Sequence, residues 1–276
     1  ARAAAGRAPR STGKLFFRTP EGDAVCSAAT VNTPRKNVVI TAGHCINSGG
    51  RRGLLGNVIP GTGYTGFLFV PRYDHDRAPD GRWVATRSIV HNAWVNRVDA
   101  YAYDSGLLEM APRNGRRLVD VVGGNGLAWN FPPSEDDVRI WGWPAETPYD
   151  GESAVQCNAT TYDAGGRDAG VACPMTGGSS GGPWFIGLLN RNVGHIWAVT
   201  SRRTRTGPAR LFAVPLSAAR PQLPVELAAR WPDAFSWVAG GGSMAALPAK
   251  PATPQLYELR IYTAAPGKVD ALNKRF

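Results

Sequence analysis

The chain has 276 residues and a net charge of +10, with 43% hydrophobic and 19% charged residues. That length suits one large domain or two small ones, and roughly three quarters of the unfolded surface can be buried. No apolar run approaches the ~18 residues of a membrane-spanning helix, and heptads, collagen triplets and short repeats are missing, which excludes an integral membrane protein and the fibrous classes.

Residues 1–13 are small, basic and irregular, and read as a mobile N-terminal tail. They contain no apolar leader, so the chain is either cytosolic or numbered after processing. From Lys14 onward, short β-prone runs follow one another: LFFR, AVCSAATV, NVVIT, GFLFV, RWVATRSIVH and GLLEM. Turn clusters such as TPEGD, NSGG, PGTG and APDG separate them. A break near Pro112–Gly115 divides this half from a second one of the same texture, with VRIWGW, SAVQCNATT, PWFIGLL, GHIWAVTS and RLFAVP. Helices are predicted only as a short turn at Ala42–Ile46 and a segment near Pro224–Trp231. A dozen short strands with few helices predict an all-β sandwich or barrel domain. Residues 232–256 have the Gly and Pro content of a linker. Residues 257–276 then read as a strand and the start of an amphipathic helix, a piece too short to be a domain.

The basic charge is scattered and accompanies no nucleic-acid-binding motif, so it reads as a solvated surface and nucleic acid is not expected as a partner. The four cysteines are Cys26, Cys45, Cys157 and Cys173. Their spacing is not that of a zinc site, and no metal is expected. Two local pairs suggest Cys26–Cys45 and Cys157–Cys173, although four cysteines allow three connectivities. Disulfides point to an oxidising compartment and hence to secretion.

Three segments carry chemistry. In Gly178-Ser-Ser180-Gly-Gly182, glycines let backbone N–H groups approach a reacting serine. Serine needs a base, and the attacked carbonyl needs donors aimed at its developing oxyanion. In Thr41-Ala-Gly-His-Cys45, His44 follows an apolar strand, and a neutral imidazole is the natural base for a serine. In Tyr103-Asp104-Ser-Gly-Leu-Leu-Glu-Met110, Asp104 precedes an apolar strand where a carboxylate can be buried to orient the histidine. Asp99, five residues earlier, is the rival.

The order His44, Asp104, Ser180 resembles the chymotrypsin-like serine peptidases. TAGHC resembles their histidine motif, YDSGLLEM their aspartate motif and GGSSGGP their serine motif, over about residues 13–216. Cys26–Cys45 resembles the family disulfide beside the histidine loop. The GGSSGGPW form is similar to the secreted bacterial, glutamyl-endopeptidase-like branch. The resemblance implies a chymotrypsin-like double barrel, two six-stranded antiparallel β-barrels with a short C-terminal helix and tail. Barrel one would span about 14–112 and barrel two about 116–216, within a peptidase domain of 14–231. It implies Ser180 as nucleophile, His44 as base and Asp104 as orienter, with Gly178 and Ser180 donating to the oxyanion. It places Met175, Thr176, Thr200, Ser201 and Arg202 in substrate binding. It implies protein or peptide substrates, no cofactor and a monomer.

Two departures matter. Ser179 stands where many members have an aspartate that pairs with a new N-terminal ammonium, so activity is expected not to depend on inserting one. No acidic residue precedes Ser180 to select Arg or Lys, and Thr200 stands where glutamyl-specific members have a histidine. Arg202, Arg203 and Arg205 follow the substrate-binding strand. They are read either as a rim that favours acidic side chains or as a solvated loop. Asp74, Asp76 and Asp80 are read as a polar loop or a calcium site. Residues 257–276 resemble the opening strand and helix of the NIPSNAP family, and no function is carried over from that.

Two other functions fit part of the pattern. An α/β-hydrolase esterase would use Gly178-x-Ser180-x-Gly182 as a nucleophile elbow, with parallel strands, many helices and the order Ser, Asp, His. A catalytically silent peptidase-like protein would instead bind through its basic surface.

Overall fold

The computed structural model describes residues 3–129, 131–166, 168–216 and 255–257. The first half contains β1 (Ala3–Ala5), β2 (Thr12–Thr19), β3 (Gly22–Val31), β4 (Val38–Thr41), the short pair β5 (Arg51–Arg52) and β6 (Val58–Ile59), β7 (Thr65–Pro71), β8 (Trp83–Val90) and β9 (Gly106–Met110). Strands β2-β3-β4-β9-β8-β7 close into an antiparallel six-stranded barrel. Its interior is filled by side chains such as Leu15, Phe69, Trp83, Leu108 and Met110. Closure leaves no free sheet edge, which suits strands this short and apolar.

The second half contains β10 (Gly126–Trp129), β11 (Val138–Gly142), β12 (Val155–Ala159), β13 (Tyr162–Asp163), β14 (Ala169–Val171), β15 (Pro183–Ile186), β16 (His195–Arg203) and β17 (Leu211–Pro215). With β1 and β18 (Gln255–Tyr257) these form one ten-stranded sheet around Trp184, Trp197, Ile140 and Met175. The ladders that build it run β12-β11-β15-β16-β17-β14. They form a half-barrel beside the closed one, the double-barrel arrangement expected, although among the described residues the second ring stays open and β10 pairs parallel with β16. The helix-rich parallel architecture of an esterase is excluded. A third core cluster, including Val31, Ile40, Tyr73, Trp141, Trp143, Phe185 and Val199, draws on both halves.

The expected turn at Ala42–Ile46 is a 3-10 helix, Gly43–Cys45. Two five-residue α-helices, α1 (Asn92–Asn96) and α2 (Leu118–Val122), were not anticipated. Neither has a side-chain N-cap, so neither leaves the usual sequence signature. Among the described residues no helix is long and apolar enough to cross a membrane. The expected helix near Pro224–Trp231 lies outside the described residues, as do the linker and terminal fragment apart from 255–257.

Residues 3–12, within the stretch read from the sequence as a tail, are seated against the rest of the chain. Strand β1 pairs with β12, and Ser11 and Thr12 are fully buried. Arg10 reaches the buried Asp80 at 2.6 Å. Basic composition hides this because the acidic partner is 70 residues away.

Candidate active site

The site lies where the two halves meet. His44 sits in the 3-10 turn directly after β4, a strand whose four residues are all buried. Its backbone N–H donates to Asp104 Oδ1 at 2.8 Å, and its Nδ1 lies 2.8 Å from Asp104 Oδ2. Asp104 precedes β9, and its side chain is 1% exposed. Ser201 Oγ on β16 donates to the same Oδ2 at 2.6 Å. One carboxylate thus accepts three hydrogen bonds, two from the histidine turn and one from the second half. Asp99 is exposed and in a left-handed conformation, with φ 53°. Asp104, not Asp99, faces the imidazole.

The His44 side chain is 30% exposed. Burial opposes its protonation, but the charge of Asp104 and its hydrogen bond outweigh that, and the His44 pKa is raised above the ordinary value. Nδ1–H directed at a carboxylate leaves Nε2 free to accept a proton. Trp94 of α1 lies beside the ring, with centroids 6.4 Å apart.

The serine loop is fixed by its backbone. The Ser180 carbonyl accepts from Ser27 N–H at 2.7 Å, and Gly181 N–H donates to Thr200 O at 2.7 Å. Gly181 has φ 75°, and a Cβ there would stand 2.0 Å from Thr41 Oγ1 and 2.7 Å from Ala42 N. Only glycine lets the loop press against the strand that ends in the histidine turn. Gly178 has φ 94°, and a Cβ there would meet Trp143 O at 2.5 Å. The Gly177 carbonyl accepts from Ala145 N–H at 2.6 Å, and the Ser179 carbonyl accepts from Gly182 N–H at 3.0 Å. In a planar trans peptide the next N–H points the opposite way. The N–H groups of Gly178 and Ser180 therefore point away from these anchors, and neither meets an acceptor among the described residues.

Both expected disulfides are formed, Cys26–Cys45 and Cys157–Cys173. The first ties β3 to the histidine turn. Sulfur and imidazole atoms of Cys26, Cys45 and His44 lie within 4.8 Å of one another, but the sulfurs are bonded to each other and offer no thiolate to a metal.

The expected substrate contacts divide. Met175 and Thr200 are each 2% exposed; Met175 joins the second core, and Thr200 Oγ1 accepts the Trp184 indole N–H. Thr176 Oγ1 donates to Glu146 O at 2.9 Å. Arg202 pairs with Asp168 and lies over the rings of Tyr101 and Phe212, while Arg203 pairs with Glu146. Two of the three rim arginines therefore already hold carboxylates. Asp74, Asp76 and Asp80 are likewise paired, with Arg77 and His75, with Arg82, and with Arg10 and Arg72. Arginines of the loop and Arg10 from the N-terminal segment thus hold these carboxylates, which supports the polar-loop reading.

Ser27 was not singled out from the sequence. Its hydroxyl donates to Gly178 O at 2.9 Å and accepts from Trp143 N–H at 2.9 Å. These partners are 151 and 116 residues away, beyond the reach of any local pattern.

The fold matches that of solved serine proteases. The protease Anisep from Arthrobacter nicotinovorans superposes with a TM-score of 0.68 at 32% identity, over 78% of this chain and 94% of that one. The chain belongs to the chymotrypsin-like serine peptidases. The thermostable serine protease AL20 from an extremophilic microorganism matches with the same TM-score, identity and coverage. A Glu endopeptidase shares the fold at 16% identity, with a TM-score of 0.61 over 84% of this chain and 96% of that one. No sequence-family profile and no curated protein sequence matches the chain.

Proposed function

We propose that this peptidase is a secreted serine endopeptidase that works through Ser180, His44 and Asp104. The observation that carries this reading is the buried Asp104 carboxylate bonded to His44 Nδ1, on a turn against which the Ser180 loop is pressed. His44 Nε2 takes the Ser180 hydroxyl proton as Oγ attacks the scissile carbonyl carbon. The carbonyl oxygen becomes an oxyanion, and the N–H groups of Gly178 and Ser180 stabilise it. Collapse expels the amine, which takes its proton from His44, and leaves an acyl-enzyme. Water, deprotonated by the same imidazole, then releases the acid. Asp104 holds the ring and stabilises imidazolium without being protonated itself. Met175 and Thr200 would form the floor of the substrate side-chain pocket, with Thr176, Ser201 and Arg202 along its wall. The two disulfides support an extracellular location. The chemistry needs no cofactor, and the protein acts as a monomer on proteins or peptides.

The test is incubation of the wild type and Ser180→Ala with a diverse peptide mixture, with cut sites read by mass spectrometry. Internal cleavage by the wild type alone is expected. Absence of cleavage by both, with no labelling of Ser180 by a fluorophosphonate, would overturn the reading in favour of a silent binding protein.

A further inference from the structure

The oxyanion loop reads Gly177-Gly-Ser-Ser-Gly-Gly182, with four glycines in six residues. Such a segment has little intrinsic preference for one backbone path, and a rotated peptide unit would turn a carbonyl into the space meant for an oxyanion. Something outside the loop must fix it. Ser179 offers no carboxylate for an ion pair, and its hydroxyl is occupied by Thr176 O at 2.7 Å.

Ser27 touches the loop at two points. Its N–H holds the carbonyl of Ser180 at 2.7 Å, and its hydroxyl holds the carbonyl of Gly178 at 2.9 Å. The peptide units held in this way, 178–179 and 180–181, flank the unit that bears the Ser180 N–H. The direction of the hydroxyl proton is settled locally. Trp143 N–H donates into Oγ at 2.9 Å, so the one Ser27 hydroxyl proton is left for Gly178 O. The Gly178 carbonyl belongs to the 178–179 peptide unit and the Ser180 carbonyl to the 180–181 unit, so Ser27 holds the units on both sides of the one that bears the Ser180 N–H, which is itself anchored through Ser179 O by Gly182 N–H. Ser27 is fully buried, and its own carbonyl accepts from Thr41 Oγ1 at 2.9 Å. It also follows Cys26, whose disulfide grips the residue after His44. Two neighbouring residues of β3 thus hold the base on one side and the oxyanion donors on the other.

We infer that Ser27 is a positioning residue of the oxyanion hole, holding the peptide units on both sides of the one that bears the Ser180 N–H. It rests on the peptidase reading above. Loss of its hydroxyl leaves the Ser180 carbonyl anchored, leaves the Gly178–Ser179 unit to the longer bond from Ser179 N–H to Thr176 O at 3.3 Å, and weakens binding of the oxyanion more than binding of the ground state.

The experiment compares wild type, Ser27→Ala and Thr30→Val, all well below their melting temperatures. Thr30→Val removes a fully buried hydroxyl of the same strand, one that bonds Gly123 O at 2.7 Å rather than Ser27 or the serine loop, and controls for local destabilisation. Fluorophosphonate labelling of the wild type first establishes that Ser180 reacts; failure there counts against the peptidase reading and not against Ser27. Inhibition is then measured with a peptide aldehyde and the matching peptide alcohol. With the aldehyde, Ser180 Oγ adds to the carbonyl carbon, its proton passes to His44, and the former carbonyl oxygen carries the charge. The alcohol occupies the same cleft and forms no oxyanion. Removing a direct oxyanion donor costs about 10²–10³ in kcat, so loosening the Ser180 donor through a flanking peptide unit is expected to cost about 10–100-fold. Ser27→Ala should lose that factor in kcat and in aldehyde affinity, with KM and alcohol affinity within about threefold of wild type. Thr30→Val should keep the wild-type ratio of aldehyde to alcohol affinity. An unchanged ratio in Ser27→Ala, or an equal fall in Thr30→Val, would overturn the assignment.

Discussion

Ser201 donates its hydroxyl to Asp104 Oδ2 at 2.6 Å, the same oxygen that lies 2.8 Å from His44 Nδ1. The donor comes from the second half of the chain and the acceptor from the first. This bond locks the carboxylate across the junction between them. A hydrogen bond to a buried charge is worth about 1.5–3 kcal/mol. Ser201→Ala is therefore expected to lower stability by about 2 kcal/mol and activity by about tenfold. Denaturant melts and kcat/KM measured on one preparation check both.

The pH profile follows from His44. The imidazole must be neutral to take the Ser180 proton, and Asp104 holds its pKa above the ordinary value against the opposing effect of burial. The acid limb of kcat/KM should accordingly have its midpoint above about 6.5. Asp104→Asn removes the two causes that raise the pKa and leaves burial, which lowers it. Its acid limb should move to lower pH while kcat falls by about 10⁴. A limb that stays in place would show that Asp104 does not set the ionisation of His44.

Acid stability is expected to track His91. Burial lowers its pKa to about 4. Between the unfolded value near 6.5 and the folded one, the unfolded chain binds the proton and the folded chain does not. Stability is then full above about pH 6.5 and falls as pH drops towards 4, by about 3 kcal/mol in all. His44 acts in the opposite sense: its contribution is present below its unfolded pKa and is lost as pH rises through the folded value. Melting temperatures at pH 7 and pH 4.5 should differ less in His91→Gln than in the wild type.

Specificity should respond to Glu146. Its carboxylate pairs with Arg203, and its Oε1 stands 2.1 Å from where a Cβ on Gly177 would lie. In the wild type the pair leaves Arg203 little attraction for an acidic substrate side chain. Glu146→Gln should raise kcat/KM for a substrate with Glu at the cleaved position relative to Gln by about three- to tenfold. An unchanged ratio would place Arg203 outside the substrate pocket.

The disulfide Cys26–Cys45 closes a loop of 19 residues next to the base. Chain-entropy arguments put such a cross-link at about 3 kcal/mol. The double substitution of Cys26 and Cys45 by Ala should lose about that much stability by urea titration. It should also broaden the His44 ring resonance, since the histidine turn loses its tie to β3.

Much of this protein is written locally. Strands β2, β3, β4, β7, β8, β9, β11, β12, β15, β16 and β17 follow β-prone runs bounded by turn residues, because side-chain alternation and turn chemistry act over a few positions, whereas the short β5, β6, β10, β13 and β14 are not read from the sequence. The histidine, aspartate and serine segments are legible for the same reason, each being a short run with its own chemistry. What local pattern cannot hold is which distant groups meet. Sequence favours Asp104 over Asp99 through the apolar strand that follows it, but only the fold shows that a left-handed turn leaves Asp99 in solvent while Asp104 is buried against His44. The pairing of Arg202 with Asp168 and of Arg203 with Glu146, the seating of residues 6–12, and the grip of Ser27 on Gly178 all join positions tens to more than a hundred residues apart. The two arginine pairs join strands and loops within the second half, while the Ser27 bond and the seating of residues 6–12 join one half to the other. Short-range preferences determined the strands and the reactive residues; tertiary structure alone decided which charges cancel and what holds the oxyanion loop in place.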